Sequence, residues 1–103
     1  MNTQNKQDTN DYDVEIIQVI HTAYEDSPQL VAEIEVPKNA SVTKKLSLAF
    51  MLTNSIDEGW WENEEVTPMF YGEGCRSTCI GDKVWIGTET YICERVGWKK
   101  ISN

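Results

Sequence analysis

Apolar and polar positions along the chain change period twice, and each change predicts a different kind of element. Val14-Glu15-Ile16-Ile17-Gln18-Val19-Ile20 is rich in β-branched residues and bounded by polar ones, which predicts a strand. Tyr24 to Gln29 is a turn cluster, in which Pro28 lacks the N–H that a sheet ladder needs. From Leu30 to Val36 the pattern alternates, with Leu30, Ala32, Ile34 and Val36 on one side and Glu33 and Glu35 on the other. That is a half-buried strand with one wet face, ended by Pro37, and with the first strand it predicts an antiparallel hairpin.

At Ser41 the period lengthens. Val42, Leu46, Ala49, Phe50 and Thr53 recur at spacings of three and four, the stripe of a helix that Ser41 or Asn39 can cap. Lys44 and Lys45 are expected on its solvent side, and Asn54-Ser55 at its end. Leu48, Met51 and Leu52 widen the apolar arc, so the helix should be covered on more than one side. The last third returns to strands: Lys83–Ile86, a turn at Gly87-Thr88, and Thr90–Val96 form a second hairpin. Gly97 breaks that run, and Trp98–Ile101 is a short closing strand. The predicted class is a small single α+β domain, a mostly antiparallel sheet of two hairpins with one central helix, in the order β-β-α-loop-β-β-(β). Residues 1–11 read as a flexible polar tail without an apolar signal core, and 12–103 as the domain.

At 103 residues there is enough chain for one core without obligatory disulfides or metal. The net charge of −8 repels phosphate backbones and favours a partner with a basic surface. No apolar run reaches transmembrane length, and the expected location is the cytoplasm of the host cell, as a monomer or weak dimer. The three cysteines, Cys75, Cys79 and Cys93, are an odd count that suits free thiols in a reducing compartment. With His21 they make four ligand types on paper. The paired spacing of structural zinc sites is missing, so no metal and no cofactor are expected. His21 reads as a strand residue with one satisfied nitrogen.

One long stretch, about Ser55 to Ile80, has no periodicity. Loops of that length in a compact domain are usually functional or disordered, and Trp60, Trp61, Met69, Phe70 and Tyr71 argue against disorder. Asp57, Glu58, Glu62, Glu64, Glu65 and Glu73 accumulate there, with no basic residue between Lys45 and Arg76. Arg76 is therefore the expected counter-charge. Neighbouring residues on an extended segment point to opposite sides, so one indole should be buried and the other exposed. The freedom of Gly59 places Trp60 outside and makes Trp61 the anchor. The candidate partner-binding set is Trp60, Trp61, Glu62, Glu64, Glu65 and Arg76, since tryptophan is enriched at interface hot spots.

These residues also carry a resemblance. The pattern L-T-N-S-I at Leu52–Ile56, W-W-x-N-x-x-V-T-P-x-F at Trp60–Phe70 and G-C-R-S-T-x-x-G-D at Gly74–Asp82, with the closing Tyr91–Trp98 run, is similar to a group of small uncharacterised proteins of phages, plasmids and other bacterial mobile elements. It covers Tyr24 to Ile101, and Cys79 stands where that pattern has serine. The resemblance implies a mobile-element setting and no particular activity.

Catalytic readings are thin. Ser77 or Thr78 with His21 and Asp82 supplies the residue types of a triad, but no G-x-S-x-G elbow surrounds the serine. Gly72-Glu73-Gly74 is too short for a phosphate cradle and has no following lysine. The expected function is a non-enzymatic protein-binding module, such as an inhibitor of a host factor, acting through the acidic Trp-containing loop 55–80. The alternative is a small nucleic-acid-binding domain, with Lys83, Arg95, Lys99 and Lys100 as a basic patch and Trp85 or Trp98 for stacking.

Overall fold

A computed structural model describes residues 13–101; the tail over 1–11 lies outside the described residues. The elements are β1 (Val14–His21), β2 (Gln29–Pro37), α1 (Val42–Leu52), β3 (Val66–Pro68), β4 (Lys83–Ile86), β5 (Glu89–Cys93) and β6 (Trp98–Lys100), with a short 3-10 turn at Trp60–Glu62. All strand pairs are antiparallel, in the order β3-β2-β1-β4-β5-β6. The α+β class holds. The two expected hairpins are joined into one sheet by pairing of β1 with β4, Val19 opposite Val84.

One face of the sheet carries the core. Ile17, Val19, Ala32, Ile34, Val36, Val84, Ile86 and Tyr91 pack there with Leu46 and Ala49 of α1 and with Trp60. The alternation expected of β2 is interrupted near its start. Register slips between Val19 and Ile20, which face Ala32 and Leu30, so Val31 is an extra residue and is itself buried. The strand expected to run to Val96 stops at Cys93. Glu94–Gly97 turns back instead, with Glu94 N–H donating to Gly97 O at 2.9 Å and Gly97 at φ 75°.

In α1, Ser41 is the cap, its Oγ accepting from Lys44 N–H at 3.1 Å. Leu46, Ala49 and Thr53 face inward as expected, while Val42 and Phe50 are exposed. Lys45, expected in solvent, is buried. It lies on the turn of Leu46 and Ala49, where Glu15 of β1 meets its ammonium group and pairs the charge.

The 55–80 segment is a largely irregular connection that holds two short elements, the 3-10 turn at Trp60–Glu62 and β3. Its middle forms β3 on the outer edge of β2, with Val66 opposite Ile34 and Met69 N–H donating to Val31 O at 2.8 Å. Asn63 Nδ2 donates to Leu52 O at 2.9 Å and Thr78 N–H to Thr53 O at 3.0 Å, so carbonyls at the end of the helix are satisfied by this segment.

Candidate functional site

The adjacent tryptophans sit where the segment leaves α1. Ser55 N–H donates to Ser77 Oγ (2.9 Å), and Trp60 N–H donates to Ser55 Oγ (3.0 Å). In the 3-10 turn that follows, successive side chains diverge by roughly 120° rather than alternating. Trp60 therefore drops into the core at 1 % exposure, and Trp61 lies half-buried across the surface of that core. This reverses the expected assignment: Trp60 is the anchor. Its Nε1–H has two carbonyl acceptors, Cys75 O and Arg76 O, each at 3.1 Å. Trp60, Trp61 and Phe70 meet edge to face with centroids 5.5–5.7 Å apart.

Trp61 owes its place to two glycines. A methyl group at Gly59 would overlap the Trp61 ring, and one at Gly74 would stand 3.1 Å from its Cη2. Gly59 has an ordinary φ of −60°, so space rather than backbone conformation demands glycine there. Gly59→Ala is expected to displace Trp61 and lower stability by about 1–3 kcal/mol. Thermal melts with tryptophan fluorescence check this; an unchanged melt and emission would show that Trp61 has another resting place.

Beside this cluster runs an apolar strip with carboxylates on both flanks. A cleft of about 500 Å³ is lined by Met51, Leu52, Ile56 and Trp60 with Asp57, Glu58 and Glu62. A second hollow of about 420 Å³ shares Met51 and Leu52 and is edged by Asp13, Glu35 and Glu65, with Lys44 as its one cation. Met51 is 60 % and Ile56 91 % exposed. Among the described residues, none of these six carboxylates forms an ion pair. Glu62 and Glu65 of the candidate set thus border the strip. Glu64 is exposed between them and lines neither hollow.

Arg76 is not the counter-charge of that acidic run. Its guanidinium is bidentate to Glu25 (Nε 3.1 Å, Nη2 2.8 Å) and to Asp82 (Nη1 2.7 Å, Nη2 2.8 Å), and it lies over the Tyr24 ring at 5.2 Å. Asp82 also accepts from Thr22, Ala23 and Cys79 N–H at 2.8–3.0 Å. Burial alone would raise its pKa. Arg76, then the amides of Cys79 and Ala23, outweigh burial and hold it at about 2. Positive φ at Gly81 (98°) lets the chain turn here into β4.

Behind Asp82, at the end of β1, sits His21, fully buried. Its Nε2 is 2.9 Å from Thr78 Oγ1 and 3.7 Å from Asp82 Oδ2; its Nδ1 is 3.8 Å from Cys75 Sγ. So His21, Thr78 and Asp82, whose residue types suggested a triad, do converge. Ser77 does not join them, since its Oγ accepts from Ser55 N–H. Thr78 is 2 % exposed and engaged with Thr53 Oγ1 at 2.7 Å, so its hydroxyl is a structural link and not a nucleophile facing solvent. Burial lowers the His21 pKa, with Asp82 opposing, and burial raises that of Cys75. At neutral pH the two groups meet as imidazole and thiol. Both line a cavity of about 550 Å³ with Glu25, Val31, Met69 and Phe70. No local motif announces the Cys75–His21 contact, because 54 residues separate them.

The other thiols are apart from this pair. Cys79 Sγ is 3.4 Å from Arg76 Nη1, and the buried Cys93 Sγ is 3.8 Å from Glu94 O. Among the described residues no three His, Cys, Asp or Glu side chains are grouped to hold a metal ion. The basic patch of the C-terminal hairpin is split. Lys83 and Lys99 are both aligned with Ile92, on the face of the sheet away from α1. Lys100 is aligned with Tyr91 on the core face and pairs with Glu89 at 2.9 Å, while Trp98 packs against Phe50 of α1. No described helix is long and apolar enough to cross a membrane. No protein-family model, curated protein or solved structure matches the chain.

Proposed function

We propose that the chain is a protein-binding module, acting without catalysis, that takes a basic amphipathic segment of a host or phage protein onto the strip between α1 and the Trp turn. The observation that carries this reading is the exposed pair Met51 and Ile56 set between Asp57, Glu58 and Glu62 on one flank and Asp13, Glu35 and Glu65 on the other. Covering each apolar side chain would contribute about 1.5–3 kcal/mol, and the carboxylates on both flanks favour lysine or arginine at either side of the apolar anchor. Trp60 and Arg76 act from behind the surface: one fills the core under the strip, the other fixes the segment that returns beneath it. An inhibitor of a host factor fits the mobile-element setting implied by the resemblance at Leu52–Asp82. The division of Lys83 and Lys99 from Lys100 disfavours the nucleic-acid alternative.

The test is titration of the whole chain with a synthetic amphipathic peptide of leucine and lysine, followed by amide chemical shifts. Shifts confined to the strip, and weaker binding as salt rises from about 0.05 to 0.5 M, are expected. Met51→Lys with Ile56→Lys should weaken binding at least about tenfold, ~1.4 kcal/mol, while leaving the melt unchanged, since both side chains are exposed. Equal binding by that variant, or shifts scattered over the sheet, would overturn the proposal.

A further inference from the structure

We propose that Cys75 is a nucleophilic thiol with His21 as its base, and that the adjoining cavity takes a small uncharged α,β-unsaturated carbonyl compound that Cys75 captures covalently. The argument begins with protons. Thr53 Oγ1 lies 2.7 Å from both Ala49 O and Thr78 Oγ1, and its single hydrogen serves only one of them. The Ala49 carbonyl can only accept, so it takes that hydrogen, and Thr78 must donate to Thr53. Thr78 then has no hydrogen left for His21, and the 2.9 Å contact requires His21 Nε2–H to donate to Thr78. Asp82 Oδ2, 3.7 Å from the same nitrogen, favours a hydrogen there as well. Nδ1 is therefore the bare nitrogen, and it faces Cys75 Sγ at 3.8 Å.

This is nucleophile, base and orienting group in sequence, arranged at a cavity wall. Thr78 and Asp82 act as positioning residues. The cavity is of a size for a small molecule at about 550 Å³, with Leu30, Val31, Met69 and Phe70 as apolar wall. An anion is disfavoured by the net charge of −8. The step balances without a co-reactant. The sulfur lone pair bonds to the β-carbon, the π pair of the double bond shifts to the α-carbon, and the thiol proton passes through Nδ1 to that carbon. Thiol and imidazole are both neutral at rest, so the base acts during attack rather than by holding a preformed thiolate.

Modification of the whole protein by N-ethylmaleimide, with the rate at each cysteine read by peptide mass spectrometry, tests this. From about pH 6.5 to 8.5, an unassisted thiol should speed up roughly 50- to 100-fold as its thiolate fraction grows. Cys75 should react fastest of the three and change by less than about threefold, because a neutral base and a neutral thiol are both present throughout that window. His21→Gln should restore the steep dependence. If that variant does not fold, the wild-type profile and Thr78→Val decide, the latter lowering the plateau by freeing the ring from its tautomer. A steep wild-type profile at Cys75, faster reaction at Cys79 beside Arg76, or a plateau that survives His21→Gln would each overturn the proposal.

Discussion

Replacing Trp60 with alanine is expected to cost about 3–5 kcal/mol, enough to unfold much of the population of a marginally stable domain. Trp60 is 1 % exposed and touches both layers of the core, so the void left behind would lie between α1 and the sheet. The loss is more than volume. Nε1 donates to Cys75 O and Arg76 O, and both carbonyls belong to the strand of chain that carries Arg76, Thr78 and Asp82 into place. Trp61→Ala should cost less, about 1–2 kcal/mol, because that ring is half-buried and loses mainly its contacts with Phe70 and Trp60. Urea melts of the two variants measure the difference. Equal losses would mean that Trp61 is as deeply structural as its neighbour, and a milder loss at Trp60 would mean that the core closes over the gap.

What the chain declares about itself is uneven, for physical reasons. β2 and α1 are legible because each repeats apolar residues at a definite period, and β1 because it is a β-branched run bounded by polar residues. β3 is not, since only Val66 of its three residues is buried and the pairing with β2 rests on main-chain hydrogen bonds, which leave no side-chain pattern in the sequence. The order of the two indoles depends on a 3-10 turn, and no periodicity marks a single turn. Lys45 looks like a solvent residue until Glu15, 30 positions earlier, is placed beneath it. The same holds for the sites. The acidic and aromatic composition of 55–65 is visible in the sequence and marks the flank of the apolar strip. Its other flank comes from Asp13 and Glu35, which only the fold brings alongside. Proximity in sequence assigns Arg76 to the acidic run; geometry gives it to Glu25 and Asp82.

Asp82→Asn is the second substitution expected to cost about 3–5 kcal/mol at neutral pH. The carboxylate is wholly buried and accepts from five donors: two from Arg76 and one each from Thr22, Ala23 and Cys79. An amide has the same shape, but its NH₂ would face donors, and Arg76 would lose half of its compensating charge. The same group sets part of the acid limit. Its folded pKa of about 2 lies below the value of about 3.9 for an unfolded aspartate. The stability from this difference, on the order of 2 kcal/mol, is therefore present above about pH 4 and lost as pH falls through 2. His21 acts in the same direction at higher pH: its lowered folded pKa means that protonation favours the unfolded chain as pH falls below about 6.5. Urea melts of wild type and Asp82→Asn at a series of pH values separate the two. The His21 contribution should appear in both, and no smaller in Asp82→Asn, where the charge that opposes burial is gone, so the gap should not shrink between neutral pH and about pH 4 and should narrow below it as the wild-type carboxylate takes up its proton. A gap under about 1 kcal/mol at neutral pH, or one that does not narrow in acid, would show that Arg76 and the three amides do not depend on the Asp82 charge.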